Sequence, residues 1–300
     1  MKLLRLVNKG VYELYVLIDN EVYRVVKGDP LEVLKRYSKG ELGRVGEKVN
    51  LDLEGILRSR DPNYKVARPI DPPEVWGAGI TYPIARARYT TESEVALVRG
   101  KSIYEYVYES DRPELFIKDV GGRRCVAHQD PIVVRSDSTW TLPEPELGVI
   151  LGSDGEVLGY TIANDVTARD IEAENPLYLP QAKIYKGCCS FGPYIVSSDE
   201  IKDPYSLEIR MRILREGKKF FEGEASTSMM KKRINHILEY LFRDNEIPDG
   251  TLLMTGTAIV PGRNITIEEG DEVEITIRGI GTLINPVVKG VKKSAYSPST

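Results

Sequence analysis

Apolar and polar positions alternate with a period of two along much of the chain, the pattern of strands that turn one face to a core. At the start, Leu3 to Val7, Val11 to Leu17 and Val22 to Val26 are three such runs, and Asp19-Asn20 is a hairpin signal between the last two. The period then changes in "DPLEVLKRYS", where Asp29 suits a cap, Pro30 suits the first helical position, and Leu31, Val33 and Leu34 supply an apolar side. A short helix is predicted there. Three prolines between residues 69 and 73 interrupt regular structure and put the boundary of a small N-terminal α/β domain near residue 70.

Beyond that point short apolar stretches are separated by Gly, Pro and Asp turns, among them "ELFIK", "PIVVRS", "ELGVIL", "VLGYTIAND" and "GPYIVSS". Leu207, Ile209, Met211 and Ile213 alternate as a half-buried strand does. One amphipathic helix interrupts the series, with Ile234, Ile237, Leu238 and Leu241 on one face of residues 228 to 243. The chain is therefore predicted to be α+β. A small domain spans residues 1–70, a mainly β domain spans 71–290, and a polar tail spans 291–300.

Composition narrows the class. At 300 residues with 41% hydrophobic content, the chain can bury a sizeable core. Its net charge of −4 gives no broad basic field, and Lys231-Lys232-Arg233 is not interleaved with aromatics, which argues against a nucleic-acid partner. No apolar run approaches membrane-spanning length, and Arg5 and Lys9 break the stretch a secretion signal would need, so a cytosolic protein is expected. Cys125, Cys188 and Cys189 are too few for a disulfide framework and read as buried packing residues. His128 has no partner at triad-like spacing and reads as a packed or loop histidine.

The chemistry concentrates around "TLPEPELGVIL". Glu144 and Glu146 are two apart and would share a strand face, and the "SDGE" turn folds the next strand back so that Asp165 approaches them. Three carboxylates in one pocket repel one another and call for a cation; an all-oxygen set suits Mg²⁺, with Mn²⁺ or Ca²⁺ as alternatives. Spacing alone leaves a metal site and a solvated strand face equally open. The ordered motifs "EPELGVIL", "GYTIANDVTARD" and "QAKIYKGCCSFGPYIV" resemble the signature of the fumarylacetoacetate hydrolase superfamily, with further likeness in "RPELFIK" and "DGTLLMTGTAIVPG". The resemblance spans roughly residues 70 to 288. It implies a distorted β-roll or barrel catalytic domain, with Glu144, Glu146 and Asp165 as metal ligands. It also implies a homo-oligomer, dimeric or tetrameric, and a lysine, Lys183, beside the metal that stabilises an enolate or moves a proton.

Departures from the family pattern point to the reaction. Hydrolases of the superfamily carry a His and a Glu after the domain boundary that activate water; here "TYPIARAR" puts Ala85 and Arg88 at those positions, and a methyl group is no general base. Glu114 stands where many relatives have a small or apolar residue, and its residue type alone leaves a loop carboxylate and a catalytic acid equally open. Together with "WTLPEPEL" and "AENPLYLPQAKIYKGCC", this resembles the branch of dehydratases acting on 2-keto-3-deoxy-D-arabinonate. The resemblance implies loss of water to give 2,5-dioxopentanoate, with Glu114 and Lys183 sharing proton transfer. Arg86 and Thr257 are candidates for substrate binding, with a surface ion pair and a turn hydroxyl as the alternatives. 2-Keto-3-deoxy-D-xylonate is an alternative substrate. An acylpyruvate-type C–C hydrolase and a non-catalytic metal-binding member are the competing functions.

Overall fold

The structure, a computed structural model, describes residues 1–38, 46–84 and 101–291. Ala85, Arg86, Arg88 and the tail beyond residue 291 lie outside the described residues.

The first four strands, β1 (Lys2–Asn8), β2 (Val11–Ile18), β3 (Glu21–Arg24) and β4 (Glu47–Val49), form an antiparallel meander. Its second turn is the Asp19-Asn20 pair, both at positive φ of 50° and 65°, the backbone that matches the twist of the flanking strands. The predicted helix follows at Pro30–Ser38, where Asp29 Oδ1 accepts from the backbone N–H groups of Leu31 and Glu32. After β5 (Tyr64–Val66) the chain crosses the proline-rich segment into β6 (Glu74–Gly79) and β7 (Glu114–Val120), with β8 (Cys125–Val126), β9 (Ile132–Val134) and β10 (Thr141–Leu142) beyond.

The central hairpin is β11 (Pro145–Leu151) with β12 (Val157–Asp165), followed by β13 (Thr167–Ala168) and β14 (Cys189–Ser197). Then come β15 (Glu208–Arg215), β16 (Lys218–Ser226), β17 (Thr251–Thr257), β18 (Glu272–Ile277) and β19 (Gly281–Lys289). The larger sheet runs β4-β3-β2-β1-β14-β12-β11-β17-β6-β7, and a second sheet runs β16-β15-β18-β19-β9. The fold is mainly β with short helices. Among the described residues neither sheet closes on itself, so the barrel named as an expectation is replaced by two open, packed sheets.

The N-terminal strands are not detached from the rest. β1 is hydrogen-bonded to β14, and one cluster of buried side chains joins Met1, Leu3 and Val16 to Ile150, Phe191 and Met254. β11 and β14 are buried at every position, which is why their sequences read as continuous apolar runs rather than alternating ones. Alternation holds where one face is covered, as at Ile209, Met211 and Ile213, all buried. The helix Ile234–Leu241 buries the four residues read from its periodicity, and a single 3-10 turn, Thr227–Met229, precedes it. All three cysteines are buried and free. His128 is a packed residue: its Nε2 bonds the Leu57 carbonyl at 2.9 Å, and the Ile284 N–H donates to its Nδ1 at 3.1 Å.

Candidate metal and proton-transfer site

Register builds the site. In the β11–β12 hairpin Pro145 faces Asn164, and the Asp165 N–H donates to the Glu144 carbonyl at 3.0 Å, which carries Asp165 back to the start of the "EPE" segment. One oxygen from each of Glu144, Glu146 and Asp165 lies within 4.8 Å of the others. The three residues keep only 3%, 2% and 1% of their surface exposed. A solvated strand face is thereby excluded.

Neighbouring strands hold these groups in place. Glu146 Oε2 accepts the Gly256 N–H at 2.6 Å. Gly256 has φ of +94°, and a Cβ there would lie 2.0 Å from Thr81 Oγ1 and 2.9 Å from the Ala78 carbonyl, so only glycine lets β17 bring that donor so close. Lys183, the last residue of the helix Leu179–Lys183, donates to Glu144 Oε2 at 2.8 Å, Asp165 Oδ2 at 2.9 Å and Thr167 Oγ1 at 2.7 Å. From the other side Lys118, fully buried, forms an ion pair with Asp165 Oδ1 and donates to the Val166 carbonyl at 2.9 Å.

β7 forms the adjoining wall. Glu114, Phe116 and Lys118 are spaced two apart along it. Gly79 and Gly77 stand opposite Glu114 and Phe116 in register; a Cβ on Gly79 would lie 2.0 Å from Glu114 Oε2, and one on Gly77 would lie 2.5 Å from the Phe116 ring. The chamber so formed, of about 20 Å³, shares Ile80, Tyr104, Glu114 and Glu172 with an outer cavity of about 620 Å³. Arg169, fully buried, donates to Glu172 Oε2 at 2.7 Å and lies over the rings of Tyr104 and Trp140.

Electrostatics distinguish the carboxyls. Burial, followed by repulsion from Asp165 and Glu144, pushes Glu146 well above the usual range; burial also raises Glu144. At Asp165 burial pushes up as well, but the ammonium groups of Lys118 and Lys183 together overcome it and hold the carboxyl below its usual value. Burial and the neighbouring Glu172 charge push Glu114 up to about 7. Three buried carboxylate oxygens without histidine or cysteine are a donor set for a hard cation such as Mg²⁺.

The other expected site residues fare differently. Thr257 lines the chamber, but its hydroxyl is engaged locally, 3.1 Å from the Pro145 and Ile259 carbonyls and accepting the Ile259 N–H at 3.2 Å. Arg86 lies outside the described residues. Lys118, Arg169 and Glu172 were not singled out in the sequence, although the period of two through Glu114, Phe116 and Lys118 was a usable signal for the first.

Residues 105–288 match the family model described as fumarylacetoacetate (FAA) hydrolase C-terminal. The chain is 55% identical over 291 residues to the 2-dehydro-3-deoxy-D-arabinonate dehydratase of Saccharolobus solfataricus, covering 96% of this chain and 97% of that one. It is 45% identical over 219 residues to a probable 2-keto-3-deoxyxylonate dehydratase of Haloferax volcanii, covering 73% of each. The solved structure of a 2-keto-3-deoxy-D-arabinonate dehydratase complexed with magnesium and 2,5-dioxopentanoate superposes with a TM-score of 0.90 at 53% identity, covering 97% of this chain and 100% of that one.

Proposed function

The chain belongs to the fumarylacetoacetate hydrolase family, and within it we propose that it is a Mg²⁺-dependent dehydratase converting 2-keto-3-deoxy-D-arabinonate to 2,5-dioxopentanoate and water. The observation that carries this reading is the placement of Glu114 in the chamber wall beside Lys183 and the three carboxylates, where burial pushes its carboxyl up to about 7. A group titrating near neutrality both takes and returns a proton at working pH. The full-length likeness to named dehydratases supports the substrate class.

A divalent cation held by Glu144, Glu146 and Asp165 supplies Lewis-acid polarisation of a 2-oxo acid. The chain's own residues do the rest. Glu114 removes the C3 proton, made acidic by the adjacent 2-oxo group, and returns it to the departing C4 hydroxyl. The C3–H and C4–O bonds break, C3=C4 forms, and water leaves. A proton moved from C5 to C3 then turns the enone into the C4=C5 enol, and transfer of the enol hydroxyl proton to C4 gives the aldehyde of the 2,5-dioxo acid. Lys183, which donates to Glu144 and Asp165, stabilises the oxygen on which negative charge develops and remains a candidate to share the proton transfer with Glu114. Thr257 and Arg86 remain candidates for the substrate carboxylate and hydroxyls, and a cytosolic homo-oligomer is part of the same proposal.

The D-xylonate name adds no second substrate. With C2 oxidised and C3 deoxygenated, C4 is the one stereocentre left, and the D series fixes it, so the arabinonate- and xylonate-derived names describe one compound. The stereochemical alternative is the L-series enantiomer, inverted at C4. Incubation with Mg²⁺ and either 2-keto-3-deoxy-D-arabinonate or an acylpyruvate tests the reading: 2,5-dioxopentanoate from the first supports it, and pyruvate from the second with no reaction of the first overturns it.

A further inference from the structure

In the basic run Lys231-Lys232-Arg233 the middle residue is buried, with 5% of its surface exposed. A lysine is rarely buried without a carboxylate partner, yet among the described residues the Lys232 ammonium makes one hydrogen bond, to the Ser110 carbonyl. Ser110 ends the helix Ile103–Glu109 and opens the short loop that leads into Glu114. Residues 110 to 113 line the outer cavity beside Glu114.

Among the described residues no backbone–backbone hydrogen bond holds Asp111 or Arg112, so side chains have to fix the loop. Three from one segment do so. Lys232 holds Ser110, His236 Nε2 donates to the Asp111 carbonyl at 2.7 Å, and the Tyr240 hydroxyl donates to Asp111 Oδ2 at 2.7 Å. His236 and Tyr240 are four apart on the helix Ile234–Leu241 and pack edge to face, with ring centroids 5.2 Å apart, and the Arg112 guanidinium lies over the Tyr240 ring at 5.0 Å.

This segment is itself fixed to the chamber. The Lys231 N–H donates to the Thr81 carbonyl at 2.9 Å, and Thr81 Oγ1 donates to the Thr255 carbonyl at 2.7 Å, next to the Gly256 N–H that holds Glu146. Glu114 is the first residue of β7, and its pairing with Gly79 is the last of that ladder. The position of its carboxyl therefore follows the loop.

We propose that Lys232, His236 and Tyr240 clamp this loop to the chamber wall and thereby position Glu114 for proton transfer. They are positioning residues, since none of them lines the chamber. The proposal rests on the role given to Glu114 in the preceding section. Loss of the clamp misplaces Glu114 and leaves the carboxylates and Lys183 in place, so it lowers kcat while KM holds.

Steady-state kinetics with 2-keto-3-deoxy-D-arabinonate at saturating Mg²⁺ test it in Lys232→Met, Tyr240→Phe, Glu114→Gln and the double variant Lys232→Met/Glu114→Gln, each checked for folding by circular dichroism. The expected kcat is lower by about tenfold or more in Lys232→Met and by about threefold in Tyr240→Phe, with KM within about twofold of wild type in both. In the Glu114→Gln background Lys232→Met brings no further loss. Wild-type kcat in folded Lys232→Met, with Glu114→Gln impaired, overturns the clamp and leaves the dehydratase reading intact. A full further loss in the double variant overturns action through Glu114. A wild-type rate in Glu114→Gln overturns the reading on which the clamp rests. Tyr240→Phe removes one hydroxyl and keeps the ring, so if Lys232→Met does not fold, wild-type kcat in Tyr240→Phe overturns the clamp.

Discussion

Gly79→Ala isolates the position of the Glu114 carboxyl from the rest of the site. The added Cβ would lie 2.0 Å from Glu114 Oε2 and 2.7 Å from its Cδ, against the 3.4 Å at which ordinary contact begins, so the carboxyl must retreat by about 1.4 Å. The atoms met are the far end of a flexible side chain, so the fold yields cheaply. Gly79 does not occupy the positive-φ region, and an alanine there restricts the unfolded chain, worth roughly 0.4–1 kcal/mol in favour of the folded state. Displacing a proton-transfer group by about 1 Å costs on the order of a hundredfold in rate, or about 2.7 kcal/mol of barrier. We expect kcat to fall by about that factor, with the melting temperature within a few degrees of wild type and Mg²⁺ affinity retained. In a Glu114→Ala background the same substitution is expected to have no further effect, because the group it displaces is gone. Wild-type kcat in Gly79→Ala, or a full further loss in the double variant, refutes the placement of Glu114.

Three other outcomes follow from the geometry. Lys183→Met removes the cation that faces the developing charge, and kcat is expected to fall at least about a hundredfold while Mg²⁺ still binds calorimetrically; near-normal turnover removes the proposed role. Chelation of the metal leaves carboxylate pairs within 4.8 Å, each repelling by about 3 kcal/mol at an effective dielectric near 20. Activity is expected to vanish, and Mg²⁺ at about a hundred times its Kd to stabilise the fold by about 2.7 kcal/mol in a thermal melt. Burial holds His128 down at about 4 against 6.5 when free, so its contribution is complete above about pH 6.5 and is lost as pH falls through 4. That amounts to about 3 kcal/mol. Denaturant titrations should find wild type losing that much more stability than His128→Gln between pH 7 and pH 4.

Much of this was legible in the sequence where the signal was local. Asp19-Asn20 and the Asp29 cap depend on neighbours within a few positions and appear where their patterns put them, and the helix read over residues 228 to 243 forms over the shorter Ile234–Leu241 with its four apolar residues buried. The carboxylate trio was legible because Glu144 and Glu146 are two apart and Asp165 ends the partner strand of the same hairpin. What the pattern did not carry is long-range pairing. Nothing within residues 1–70 announces that β1 bonds to β14, and the prolines near 70 mark a passage of the chain while the buried clusters continue across it.

Lys118 was obscured for a chemical reason. A lysine in a strand ordinarily reads as a solvated residue, and only the burial of all its surroundings makes its charge part of the site. The same holds for Arg169 and Glu172, which are ion-paired inside the wall, where the Glu172 charge acts on Glu114. The glycines are the reverse case. Gly79 and Gly256 carry no chemistry, yet their missing side chains admit one carboxyl and deliver one N–H.

The claim that this chamber dehydrates a sugar acid through Glu114 is tested most directly by proton NMR of 2-keto-3-deoxy-D-arabinonate with wild type and Glu114→Gln at equal Mg²⁺ saturation. The account predicts 2,5-dioxopentanoate without pyruvate from wild type, and a rate at least about a hundredfold lower from the variant. Pyruvate as the wild-type product, or a variant that turns over at the wild-type rate, contradicts it.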